Sequence, residues 1–288
     1  MCALRHLLGE FQLYSLVFLP SIVGGAFTTF LPERVKHLQH TGIFQSFIES
    51  LLLQRKLPMT GLLSSSLTLQ TLVFMCCSAI IMEGKQKGWH KGFWFLRPEA
   101  IASNDTCTHK DPNCGVHIVR GMRNYCLIGL ALDMFKALVS CTKSGQWNLS
   151  HFSLESVFWL VCYIGIYRVS HCYLMGKEDN RIRQKHLLAS FLAGLSFICY
   201  PKRTILTFGL LEAIRSLWAK YKPSFKCGYG WSDVLFPMIL AFLIHNYVLD
   251  PSSVSGLAAV IINNTTANYA LNINKRLLQL QPTKGRQT

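Results

Sequence analysis

Between residues 57 and 82 the chain carries no charged side chain. An uncharged run of that length reads as a membrane-crossing helix, and its Ser64, Ser65, Ser66 and Thr68 sit better against neighbouring helices than against lipid. The remaining composition agrees: half the residues are hydrophobic, 15% are charged and the mean hydropathy is +0.28. Such a balance excludes an ordinary soluble domain. The net charge of +15 is carried largely by connecting segments 34–56, 85–123 and 177–185. Bases so placed set topology and contact anionic headgroups, so the partner they imply is the lipid bilayer, not nucleic acid. Because several loops are comparably basic, the charge pattern leaves orientation open.

Residues 186–221, HLLASFLAGLSFICYPKRTILTFGLLEAIRSLWAKY, form the stretch around which the other segments are organised. Its first apolar run, 187–201, reaches only about 23 Å as a helix, short of the roughly 30 Å hydrocarbon core. Ser190 and Gly194 make a small-xxx-small pair that lets helix backbones approach closely, and Pro201 with Lys202 and Arg203 ends or kinks the helix. The segment reads as a packed turn inside a bundle. At one fixed offset Ser21, Gly25, Pro32 and Arg34 fall on Ser190, Gly194, Pro201 and Arg203. After a short insertion, Glu49 falls on Glu212, so each copy places a carboxylate in the helix after its turn. Two amphipathic membrane hairpins can look alike without common origin, but the alignment of these unusual residues favours an internal duplication, a frequent way to build polytopic proteins.

The expected fold is therefore all-α, a polytopic integral membrane helical bundle with a degenerate internal repeat. Along the chain it divides into a partial amino-terminal membrane repeat (1–82), a basic Cys/His-containing loop (83–123), a second membrane repeat (124–250), and a peripheral helix with a basic tail (251–288). Residues 11–31 read as a first span and not as a cleavable signal. Residues 35–56 read as interfacial or as a polar-faced helix within the bundle. Residues 115–141, with Arg120, Arg123, Asp133 and Lys136, look amphipathic and interfacial. Residues 154–167 and 231–249 complete the spans. Glu155 and His171 suggest a proton relay, although their places near the ends of their span favour snorkelling. Glu212 is expected to pair with Arg215 on its own helical face, or with Lys202 or Arg203 across the turn.

In the loop, KGWHKGFWF (87–95) mixes bases with aromatics like a membrane-surface anchor. Cys107, His109 and Cys114 then offer two thiols and an imidazole within a short stretch. Thiolate and imidazole suit zinc, but a structural site usually needs four ligands and no matching motif follows. These three stand as metal candidates only, with His117 a further neighbour, beside a disulfide or an unliganded knuckle. The eleven cysteines lack the loop-borne spacing of a secreted scaffold, and several lie in apolar runs where cysteine acts as a small hydrophobe. Sequons at Asn104, Asn148, Asn263 and Asn264 matter only in a secretory membrane. No catalytic residue and no cofactor-binding pattern is identified, and the carboxy-terminal GRQT carries no recognised targeting or lipidation signal.

The Cys-x-His-xx-Pro-x-Cys segment, the amphipathic helix and the hairpin AGLSFICYPKRTILTFGLLEAI, in this order, resemble the transmembrane protein 135 family. The hairpin is more distantly similar to the group containing mitochondrial inner-membrane import channels and a small peroxisomal membrane protein. The likeness covers most of 107–218 and, more loosely, 15–55. No counterpart of the first cysteine-rich segment or of the opening helix of the amino-terminal repeat is found, so a shortened or divergent member is expected. The resemblance implies a peroxisomal membrane protein, or next a mitochondrial one, linked to organelle organisation and fatty-acid metabolism. It supplies no catalytic residue. The expectation is a non-enzymatic scaffold or passage, with membrane-protein partners or self-association, packed through Ser21/Gly25 and Ser190/Gly194. A membrane-embedded lipid-modifying enzyme, or an adaptor recruiting a partner through 85–123, is the alternative.

Overall fold

In the computed structural model the described residues are 17–54, 58–98, 109, 113–144, 153–176, 182–221 and 231–280; they are helical, with no strand among them. The helices are α1 (Leu19–Ala26), α2 (Glu33–Gln54), α3 (Pro58–Ser65), α4 (Leu67–Gln86), α5 (Cys114–Ser144), α6 (Glu155–Met175), α7 (Ile182–Ala193), α8 (Arg203–Tyr221), α9 (Trp231–Leu249), α10 (Gly256–Thr265) and α11 (Tyr269–Leu280). Among the described residues four stretches are long and apolar enough to cross a membrane: Leu67–Gln86, Cys114–Thr142, Glu155–Met175 and Ser232–Leu249, with mean hydropathies of 1.6, 1.5, 1.3 and 1.6. Contacts sort the chain into two compact units, one of residues 1–64 with 226–288 and the other of 65–225. The four sequence segments divide the chain by position; these units divide it by packing.

The 65–225 unit is built on α4, whose amino terminus is capped by Ser66, its Oγ accepting the Leu69 N–H at 3.3 Å. α5 and α6 form an antiparallel pair. α4 and α6 both pack against α7 and against the 3-10 turn Gly194–Cys199 that follows it. An aromatic core holds this set together: Phe74 stacks on Phe197 at 5.1 Å between ring centroids, and Trp94, Trp159 and Tyr163 close around them. A polar line runs through the same core. The indole of Trp94 can only donate, so the Tyr163 hydroxyl accepts from it at 2.9 Å. The Tyr163 proton then goes to Ser78 Oγ at 2.7 Å, and Ser78 donates to the Ser190 carbonyl at 2.7 Å. Each group along this line has its partner.

The segment containing Trp94 differs from the surface anchor its composition suggests. Trp94 and Leu96 are 4% and 3% exposed, because aromatic stacking and the indole hydrogen bond draw the loop onto the helices. α5 also differs from the expected interfacial helix. Its outward face, including Val119, Leu127, Met134 and Phe135, is exposed and apolar, the face a bilayer would cover. Its carboxylate is hidden: Asp133 is 1% exposed and accepts the N–H groups of Ser156 and Val157 at 3.1 and 3.2 Å, satisfying the first turn of α6. Lys136 reaches the other Asp133 oxygen at 3.0 Å.

In the other unit α9 packs against α1, α2 and α11. Ile43, Phe236, Leu243, Tyr247 and Ile262 form its core. Of residues 35–56, read as interfacial or bundle-packed, 35–54 lie in a continuous helix whose Ile43, Ser46 and Ser50 are buried, and 55–56 lie outside the described residues. Ser50 Oγ accepts the Ser255 N–H at 3.2 Å, and Ser255 in turn caps α10 through the Ala258 N–H at 3.2 Å. The expected single peripheral helix is two, α10 and α11, divided where Ala267 and Asn268 take left-handed φ of 47° and 64°. The first span 11–31 is described only from Val17. There α1 gives way to the 3-10 turn Phe27–Phe30, with Thr28 Oγ1 donating to the Gly25 carbonyl at 2.6 Å.

Candidate functional site

The small residues read from the sequence lie at two close helix crossings. A Cβ on Gly194 would stand 2.5 Å from Met75 Cα, and one on Gly25 would stand 2.9 Å from Pro237 Cα. Only glycine fits such approaches. The serine one helical turn before each glycine donates to its own helix, Ser190 to the His186 carbonyl at 2.8 Å and Ser21 to the Val17 carbonyl at 2.6 Å. Pro32 lies between the Phe27–Phe30 turn and α2, and Pro201 between the Gly194–Cys199 turn and α8; both are exposed. Arg203 opens α8 and is exposed, while Arg34 lies in the first turn of α2 with its side chain outside the described set. Glu49 is half-buried on α2.

Glu212 is the centre of a buried charged group. Its side chain is 2% exposed; Arg215 Nη1 meets Oε1 at 2.7 Å and His90 Nε2 stands 3.3 Å from Oε2. Burial, with the nearby Lys85 and Arg215 cations, holds the His90 imidazole down to about 4. At neutral pH His90 is uncharged, and Arg215 supplies the carboxylate's counter-charge. His90 was hidden in the sequence because nothing in an aromatic-basic run marks which residue turns inward.

Beside this group, Lys85, Lys91, Arg97 and Arg168 share with Trp94, Phe95 and Tyr125 the lining of a cavity of about 670 Å³. Among the described residues its lining carries four cations and no carboxylate. Tyr125 donates to the Phe95 carbonyl at 2.7 Å, fixing the loop that forms one wall. Such a cavity suits an anionic group with an apolar or aromatic portion.

The relay pair of the sequence is not one constellation. Glu155 lies 3.7 Å from Lys202 and is half exposed, in keeping with a helix-end charge. His171, expected to snorkel, is 2% exposed, its Nε2 lying 3.2 Å from that of buried His186. The neighbouring α7 supplies a polar partner that the end of α6 alone would lack.

Of the Cys/His candidates, Cys107 lies outside the described residues, as do the sequons at Asn104 and Asn148. His109 Nε2 is 3.2 Å from Cys114 Sγ. Asn263 uses its side-chain nitrogen on the Tyr247 hydroxyl at 2.9 Å, the atom a glycan would require. Comparison with known proteins finds no matching family model, no matching curated protein and no matching solved structure.

Proposed function

We propose that the chain is a non-enzymatic multi-pass protein of an organelle membrane, peroxisomal first and mitochondrial second. It acts as a scaffold or passage in organelle organisation and fatty-acid metabolism. Its core is a degenerate repeat of the helix, 3-10 turn, proline and helix order. The observation that carries the repeat is the recurrence of that order with the same serine back-bond and the same glycine-to-backbone crossing, at Ser21/Gly25 and at Ser190/Gly194. The organelle and the process rest on the resemblance of the 107–218 segment, and the four long apolar helices support membrane residence. Buried Glu212 with Arg215 supports a packing role more than a polar lining.

The test is to image a tagged full chain against peroxisomal and mitochondrial markers, with protease protection of both termini in the same cells. Residence in either organelle, with altered organelle shape or fatty-acid handling on depletion, is the expected result. Residence in the plasma membrane or endoplasmic reticulum, with a glycan on Asn104 or Asn148, overturns it.

One observation favours a second reading, the adaptor: the four cations around the cavity beside residues 91–97 fit an anionic partner group. Lys91→Glu with Arg97→Glu, both exposed positions, would then abolish recruitment of a soluble partner while leaving membrane placement unchanged. Unchanged recruitment would exclude it.

A further inference from the structure

His109, Cys114 and Cys172 come together although Cys172 belongs to a different helix from Cys114 and lies far along the chain. Their ligand atoms, one imidazole nitrogen and two sulfurs, all lie within 4.8 Å of one another. The antiparallel pairing of α5 and α6 brings the two cysteines together. At one end of the pair Asp133 meets the amides of Ser156 and Val157; further along, Arg168 donates to the His117 carbonyl. Continued in that register, the first residue of α5, Cys114, comes opposite the last turn of α6, where Cys172 sits.

From these positions we infer that His109, Cys114 and Cys172 bind a zinc ion. Tetrahedral zinc, with bonds of about 2.3 Å to sulfur and about 2.0–2.1 Å to nitrogen, spaces its ligand atoms roughly 3.5–3.8 Å apart. The 3.2 Å between His109 Nε2 and Cys114 Sγ, and the 4.8 Å limit for the full set, bracket that spacing. The ion therefore requires side-chain adjustment without refolding of the helices. Two thiolates and an imidazole, with no carboxylate in the set, select a soft or borderline metal and disfavour magnesium or calcium. The His109 ring lies parallel to that of His117, 12° between planes and 4.5 Å between centroids, which fixes its plane. Three protein ligands leave the fourth position to water or another donor. The ion ties His109, before α5, to the end of α6.

The experiment uses the full chain purified in detergent after growth with zinc. Metal analysis is expected to give about one zinc per chain, as one three-ligand site holds one ion. Cys114→Ser and Cys172→Ser each lose most of it, whereas Cys141→Ser, at the other end of α5, retains it. In wild type, cobalt exchanged for zinc shows thiolate-to-metal charge transfer that weakens in both site variants. To keep the result independent of variant folding, wild type is also treated with a chelator, which is expected to expose Cys114 and Cys172 together to maleimide, as read by mass spectrometry. Zinc at the level of the serine variants, zinc loss equal in Cys141→Ser, or a Cys114–Cys172 disulfide in the non-reduced protein overturns the site.

Discussion

The turns at Gly25 and Gly194 use the same local device in different surroundings. Each has a serine bonded back to the carbonyl four residues earlier, a glycine against another helix's backbone, a 3-10 turn, a proline, and a following helix bearing a glutamate. Around Gly194 the turn is packed: Phe197 is fully buried and stacks on Phe74. Around Gly25 it is open: Phe27 and Phe30 are 66% and 84% exposed. The local residues set the backbone path, while the helix opposite decides whether the turn becomes core. α4 brings Met75, Phe74 and Ser78 to one turn; α9 brings Pro237 and Leu240 to the other.

The glutamates should separate the two turns most. Glu212→Gln leaves Arg215 facing a neutral amide in a buried site, a loss of about 3 kcal/mol, whereas Glu49→Gln on its half-buried position costs less than about 1 kcal/mol. Hydrogen exchange resolved to peptides of each unit measures both, and equal effects would break the contrast. Next comes pH. Burial and the neighbouring cations hold the folded imidazole of His90 down to about 4, below the ordinary 6.5, so the unfolded chain takes up the proton first. Stability of the 65–225 unit is complete above about pH 6.5 and falls as pH drops toward 4, by up to about 3 kcal/mol. His90→Asn should flatten that slope in the 65–225 unit and leave the pH dependence of the Gly25 unit unchanged.

Smaller are the glycines. Gly194→Ala forces Met75 backbone away and costs about 1–3 kcal/mol, with Gly25→Ala at the low end of that range because Pro237 stands further off. Thermal unfolding of the purified variants gives the order, and a larger loss at Gly25 would reverse it. Least are Ser190→Ala and Ser21→Ala. Each hydroxyl only back-bonds to its own helix, so changes stay within about 0.5 kcal/mol by the same assay.

The punctuating features were legible in the sequence: the small-residue pairs, Pro201 closing a turn, and Arg215 placed one turn from Glu212. Local chemistry fixes these. The uncharged run 57–82 is not the single crossing helix it reads as: Ser66 caps a new helix there, and the stretch long and apolar enough to cross is Leu67–Gln86. What escaped depends on register between helices. His90, Cys172 and Asp133 take their roles from residues distant in the chain, and no single-segment pattern says that Asp133 will meet the start of α6. The KGWHKGFWF run misleads for the same reason. Aromatics and bases suit a headgroup layer and a buried stack equally until Tyr163 and Phe208 are placed beside Trp94.

The unit containing α1 and α2 closes with α9, which is synthesised much later. At about 5–20 residues per second, the ribosome takes roughly ten to thirty-five seconds to pass from the end of α2 to the start of α9. Throughout that interval the helices carrying Gly25 and Ile43 have been made without the partner that covers them. The opening part of the chain therefore needs other shielding until α9 is made, and a stalled chain ending before α9 would present an unpaired face for quality control to recognise.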